Sequence, residues 1–274
     1  MNVSQSRSCI VIDIHPFLLY KFGCCQVQEE VIMGMIYEAL QHAYRNKTGA
    51  NKLVTVPKHK SLVTRPQVSR EEEMLCLYKN IDSLLPDVDK RVLQFIGSRQ
   101  GEGTSTIVRE FAKTAATTIG KSVLLLDADR ARPSHHVHFN FYSPHGWQES
   151  IINKDLLWGC FHQVDRSLFV GQSSNTATYT PEIFDSPKFQ SYQEKLWERF
   201  ELILIDSPPL NMSPDGLAIA PRTTGVVVVV GAESTGWRVV RGTVSRIKNV
   251  GGNILGVVLN KRRYHIPEFI YRRL

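Results

Sequence analysis

Six nearly continuous apolar runs recur along this chain: VLQFI at 92–96, SVLLLD at 122–127, SLFVG at 167–171, ELILID at 201–206, GVVVVVG at 225–231 and NILGVVLN at 253–260. A strand with one face in water alternates polar and apolar residues, whereas a strand covered on both faces does not. The runs therefore require helices on both sides of the sheet they build. Helical stretches are expected between them at 105–118, about 187–199 and 236–249, with a loop and short helix region after residue 127. The pattern predicts a three-layer α/β fold with a mostly parallel sheet and helices on both faces. At 274 residues and 42% hydrophobic composition, one core is the expectation.

Outside these runs the chain divides by composition. Residues 1–32 hold Cys9, Cys24 and Cys25 without a clear period, and are read as a non-native or disordered extension preceding a start at Met33 or Met35. Residues 33–45 form an amphipathic helix with Ile36, Leu40 and Tyr44 on one face. A basic, flexible linker follows at 46–69. From Arg45 to Arg70 the chain carries Arg45, Lys47, Lys52, Lys58, Lys60, Arg65 and Arg70 and no acid, which accounts for the net charge of +7 and leaves 26 basic residues against 26 acidic elsewhere. The linker reads as a solvated tether, or as a segment that touches an anionic membrane face or acidic partner. Residues 70–262 form the main domain, and 263–274 a second basic tail. Ser69 and Glu72 make a capping box that opens a helix with Met74, Leu77, Tyr78, Ile81 and Leu85 on one face. The five cysteines lack metal-ligand spacing, so neither a zinc site nor a disulfide framework is expected, and a cytoplasmic setting follows. The longest early apolar run is broken by Asp13, His15 and Pro16, so no spanning helix is predicted there.

In parallel sheets, ligands bind beyond the carboxyl ends of the strands. Three runs end in residues suited to that role. After the first come Ser98, Arg99, Gln100, Gly101, Glu102, Gly103, Thr104, Ser105 and Thr106, leading into a helix. Against G-x-x-x-x-G-K-[ST], Gly103 and Ser105 match, but Ser98 stands at the first glycine and Thr104 at the lysine. The loop can still offer backbone N–H groups and a helix dipole to phosphate, and Ser105 can still ligate magnesium. Loss of the lysine removes a charge-assisted bond of about 1.5 to 3 kcal/mol, unless Arg99 supplies the cation. The second run ends in Asp127 and Asp129, which suit a magnesium ion beside phosphates; the third ends in Asp206.

These motifs, GSRQGEGTST, LLLDADRARPSHH and LILIDSPPLNMSPDG, resemble in order the Walker A, A′ and B segments of the bacterial tyrosine kinases of capsule and exopolysaccharide systems, over about residues 70–260. The resemblance implies a P-loop NTPase fold, ATP or ADP with Mg2+ as cofactor, and phosphates surrounded by Gly101, Glu102, Gly103, Thr104, Ser105 and Thr106. It further implies magnesium at Ser105, Asp127 and Asp206, catalysis by Asp127, Asp129 and Asp206, and an adenine contact from Asn260. Arg99 falls where partitioning relatives carry a signature lysine. The expected partners are a membrane-embedded polysaccharide chain-length or export protein and a second copy of the chain, with recruitment to the inner membrane face and no nucleic acid.

Three features depart from the kinases. The Walker lysine is absent, Leu75 and Tyr78 occupy the positions of two assembly arginines while Glu72 remains, and the C-terminal tyrosine cluster is reduced to Tyr264 and Tyr271. The expectation is a degenerate kinase-like regulator of polysaccharide assembly or export. Its alternatives are an active autokinase that uses Arg99 and phosphorylates Tyr264 or Tyr271, and a surface-cycling positioning ATPase. The HHVH run at 135–138 is read as a polar loop, and the four tryptophans as packing residues.

Overall fold

The computed structural model describes residues 7–11, 69–173, 181–232 and 234–262. They belong to one compact unit. The expected helix at 33–45, the linker up to residue 68, and the tail with Tyr264 and Tyr271 lie outside the described residues.

The sheet contains β1 (Arg7–Val11), β2 (Arg91–Gly97), β3 (Val123–Asp127), β4 (Phe161–Asp165), β5 (Leu168–Gly171), β6 (Leu202–Ser207), β7 (Gly225–Gly231) and β8 (Ile254–Arg262). Its order is β1-β8-β7-β2-β6-β3-β5-β4. The six inner strands, from β8 to β5, are mutually parallel, and each edge carries one antiparallel strand. All six apolar runs are these inner strands. The edge strand β1 lies within the stretch read as an extension, and β4 was not anticipated.

Successive residues of each inner strand point to opposite faces, so each run feeds two cores. On one face Leu93, Phe95, Leu125, Leu204, Val227 and Val229 pack beneath α1 (Arg70–Leu84) and α2 (Thr104–Thr117). The other face divides in two: Val92, Leu124, Ile203 and Ile205 meet the short α4 (Glu149–Ile152) and α5 (Pro187–Trp197). Val226, Val228 and Val230 meet α7 (Trp237–Asn249) through Ile247. Two further short helices, α3 (His135–Phe139) and α6 (Asp215–Ile219), border the carboxyl ends of the strands. The capping box opens α1 as expected, with Ser69 N–H donating to Glu72 Oε2 at 2.7 Å and Glu72 N–H to Ser69 Oγ at 3.2 Å. Met74, Leu77 and Ile81 form its buried stripe. Of the tryptophans, Trp147 is fully buried, whereas Trp237 is 65% exposed, so the packing expectation fails for the latter.

Candidate functional site

The loop from Gly97 to Gly103 joins the centre of the sheet to the N-terminus of α2. Gly101 and Gly103 take φ values of +84° and +89°, a left-handed region costly to residues with a Cβ. Gly103 is constrained a second way, because a Cβ there would lie 2.2 Å from Asn260 Nδ2. Asn260, on β8, donates from that nitrogen to Glu102 O at 2.8 Å, and its Oδ1 accepts the Lys261 N–H at 2.8 Å. Lys261, at φ +61°, sends its ammonium back to Gly101 O at 2.5 Å. The end of β8 thus fastens the loop from behind.

Glu102 fastens it from within. Its buried carboxylate accepts the Arg99 N–H at 2.8 Å, the Thr235 hydroxyl at 2.6 Å and the Gly231 N–H at 3.4 Å. One N–H that an anion could have used is therefore taken by the protein's own carboxylate. The Arg99 side chain is exposed. Among the described residues, the cation that touches the loop backbone is Lys261, which was not among the expected site residues. Thr104 begins α2, with its hydroxyl 2.9 Å from where a Cβ on Gly97 would stand. Ser105 is half-buried and Thr106 exposed, both in the first turn of α2.

Beside the loop, Asp127 and Asp206 are register partners on adjacent strands β3 and β6. They are 1% and 2% exposed, and the fully buried His135 joins them. His135 Nε2 lies 2.8 Å from Asp206 Oδ2. Asp127 Oδ1 accepts the Asp129 N–H at 3.1 Å, and Oδ2 accepts those of Ser134 at 2.8 Å and His135 at 3.2 Å. Its carbonyl accepts the Trp147 indole N–H at 2.6 Å. Burial pushes the Asp127 carboxyl up to about 6, opposed by the neighbouring imidazole and reinforced by Asp206. Arg109 on α2 reaches the rim, 3.4 Å from both Ser134 Oγ and Thr106 Oγ1.

The structure separates the two aspartates of the second motif. Asp127 faces the cluster, whereas Asp129 Oδ1 accepts the N–H groups of Ala131 and Arg132, each at 3.1 Å, in the manner of a turn cap. Asp215, behind Asp206 in sequence, is buried and paired with Arg130 at 2.9 Å. The reading of the HHVH run as a polar loop is corrected at its first position: it forms α3, and His135 points into the acid pair. The signal available was the motif's proximity to Asp127; the partner, Asp206, lies 71 residues away in sequence.

Magnesium prefers oxygen donors and retains several waters. Here an imidazole nitrogen already occupies Asp206, and none of the three residues is more than 2% exposed. The cluster as built does not fit a hydrated magnesium ion held by Asp127 and Asp206. A cleft of about 460 Å³ bordered by Asp82, Arg91, Lys121 and Glu201 opens at the opposite end of the strands. Its charges pair with one another, Arg91 with Asp82 at 2.6 Å and Lys121 with Glu201 at 2.7 Å.

No protein-family model matches the chain. Among curated proteins, CapB of Staphylococcus aureus, assigned as a tyrosine-protein kinase, is 26% identical over 198 residues, covering 72% of this chain and 86% of CapB. The succinoglycan biosynthesis transport protein ExoP of Rhizobium meliloti is 28% identical over 185 residues, covering 66% of this chain but 23% of ExoP. Among solved structures, the chimerical protein CapA2B2 superposes with a TM-score of 0.65 at 26% identity, covering 76% of this chain and 93% of that one. The kinase domain of the Escherichia coli tyrosine kinase ETK gives 0.66 at 20% identity, covering 78% and 87%, a likeness of fold.

Proposed function

We propose that this chain, a relative of the bacterial tyrosine-protein kinases of capsule and exopolysaccharide systems, works without phosphoryl transfer. It regulates polysaccharide assembly or export by binding a membrane-embedded partner, with ATP or ADP held weakly at its loop. The observation that carries this reading is His135 on Asp206, 2.8 Å away, where the resemblance calls for a metal-binding and catalytic acid. Two other features point the same way. Position 104 has no cation, and Glu102 uses the Arg99 N–H that would otherwise face an anion.

The loop retains the means for weak binding. The N-terminus of α2 offers the positive end of the helix dipole and the backbone N–H groups that a helix start leaves without intrahelical partners, a combination that favours phosphate. Without the lysine, affinity falls by about 10- to 150-fold, which carries a micromolar site toward the millimolar range. The likeness to ExoP, a succinoglycan biosynthesis transport protein, supports a polysaccharide system as the setting. Self-assembly in the manner expected of the kinases gains little from α1: Glu72 spends its carboxylate on its own cap, and Tyr78 stacks on Phe111 at 5.9 Å.

Calorimetric titration of ADP and ATP, with and without magnesium, tests the reading together with a phosphotyrosine immunoblot of chain expressed with ATP. The expected result is binding near millimolar, little affected by magnesium, and no phosphotyrosine. Phosphotyrosine in the natural chain that is lost in Asp206→Asn would establish the autokinase reading instead.

A further inference from the structure

Two buried carboxylates and one buried imidazole, meeting at the ends of three different elements, form a donor set that magnesium does not explain. We infer that Asp127, His135 and Asp206 form a site for a borderline transition-metal dication of the zinc class, separate from any nucleotide magnesium. The inference goes beyond the proposed regulatory role, and it shares with it the His135–Asp206 contact, which the ion would replace by coordination.

The donor atoms argue first. One ligand atom from each residue lies within 4.8 Å of the other two. An ion with bonds of about 2.0 to 2.2 Å to nitrogen and oxygen holds its tetrahedral donors about 3.4 Å apart. The His135–Asp206 pair, at 2.8 Å, needs to open by about 0.6 Å, and no other pair needs to close by more than about 1.4 Å. Among the described residues His135 Nδ1 has no hydrogen-bond partner, so no second bond on the ring resists that adjustment. Three protein ligands leave one position for a water or another small oxygen donor, a familiar count for zinc.

The surroundings argue next. A metal-ligating carboxylate is normally oriented by hydrogen bonds from its neighbours, and Asp127 receives three, from the N–H groups of Asp129, Ser134 and His135. Trp147 holds the same residue's carbonyl. The charge inside the cluster is also unbalanced: two carboxylates that are almost completely buried share one imidazole, with the Arg109 guanidinium at the rim as a further cation. A dication redresses that balance, and imidazole selects zinc, cobalt or nickel over magnesium. An ion here would tie α3 to β3 and β6, and so brace the side of the site next to the phosphate loop.

The test uses the full chain, stripped with a chelator, titrated with Co2+ and followed by visible absorption, with Zn2+ and Mg2+ as competitors. The chain has nine histidines, so controls must exclude the others. The expected result is one equivalent of Co2+ displaced by Zn2+ and not by millimolar Mg2+. Affinity should fall at least 100-fold in His135→Leu, His135→Gln and Asp206→Asn, and remain unchanged in His136→Ala and His138→Ala. Zn2+ should raise the melting temperature of the natural chain but not of His135→Gln, which retains hydrogen-bonding capacity should the leucine variant fail to fold. Absence of Co2+ uptake up to about 1 mM would overturn the inference and leave His135 as a plain partner of Asp206. Uptake undiminished in His135→Gln, or equal competition by Mg2+, would overturn it too.

Discussion

Gly103→Ala should be among the most damaging single-methyl additions in this molecule, and Gly101→Ala is its internal control. Both glycines have φ above +80°, so both substitutions carry the left-handed backbone cost of about 1 to 2 kcal/mol. At Gly101 nothing lies within 4 Å of an added Cβ, and the cost ends there. At Gly103 the Cβ would lie 2.2 Å from Asn260 Nδ2, which must move. Asn260 then gives up its bonds to Glu102 O and from the Lys261 N–H, both 2.8 Å, at about 1 kcal/mol each. Gly103→Ala should therefore be about 2 kcal/mol worse than Gly101→Ala, which for a domain of this size is about 4 to 8 °C in melting temperature. Differential scanning fluorimetry of the two variants, with urea denaturation to confirm the free energies, measures the difference. In an Asn260→Ala background, where the obstruction is gone, most of the excess should disappear. Equal melting temperatures for the two variants, or an excess that survives removal of the Asn260 side chain, would refute the argument that β8 pins the loop by close approach.

Three further outcomes are expected. Thr104→Lys should tighten ADP binding by about 10- to 150-fold in calorimetry, because it restores a charge-assisted phosphate bond at the start of α2; no gain would mean that the loop cannot form a cradle. Metal-free chain should lose stability as pH rises from 5 to 7.5. Asp127, lifted by burial from an ordinary 3.8 to about 6, holds its proton in the folded state over a range where the unfolded chain has released it, so its contribution is fully present below 3.8 and is lost as pH passes 6. The loss across that window is on the order of 1 kcal/mol by urea denaturation, and Asp127→Asn should flatten it. Glu201, held below its ordinary value chiefly by the hydrogen bond from Lys121, acts in the opposite sense, but its stability is lost only at more acid pH. Trp147→Phe should destabilise the fold by about 1 to 3 kcal/mol in the same assay, because it leaves the Asp127 carbonyl without its buried indole donor.

The inner sheet was legible from the chain alone because burial on both faces imposes a local signature, an unbroken apolar run, on each inner strand. The same logic hid the edges: β4 reads FHQVD, partly exposed along its length and with no such run. Turn chemistry was local as well, so the capping box at Ser69 and the glycine loop could be placed by spacing. The acids at the ends of β3 and β6 could be named, but not their roles. Asp127 and Asp129 look alike in sequence, and only the turn after β3 sends one into the cluster and the other to cap Ala131 and Arg132.

His135 and Lys261 mark the limit. Their partners, Asp206 and Gly101, lie 71 and 160 residues away, and nothing in the residues flanking either side chain encodes that meeting. Strand order decides it. Parallel pairing brings β3 against β6 with Asp127 beside Asp206, and β8 returns close enough to the loop for its last residues to close over Gly103. Periodicity reports what each segment buries, a property of neighbours along the chain. Which cation, imidazole or carboxylate completes a site depends on contacts between segments, and those exist only once the sheet has assembled.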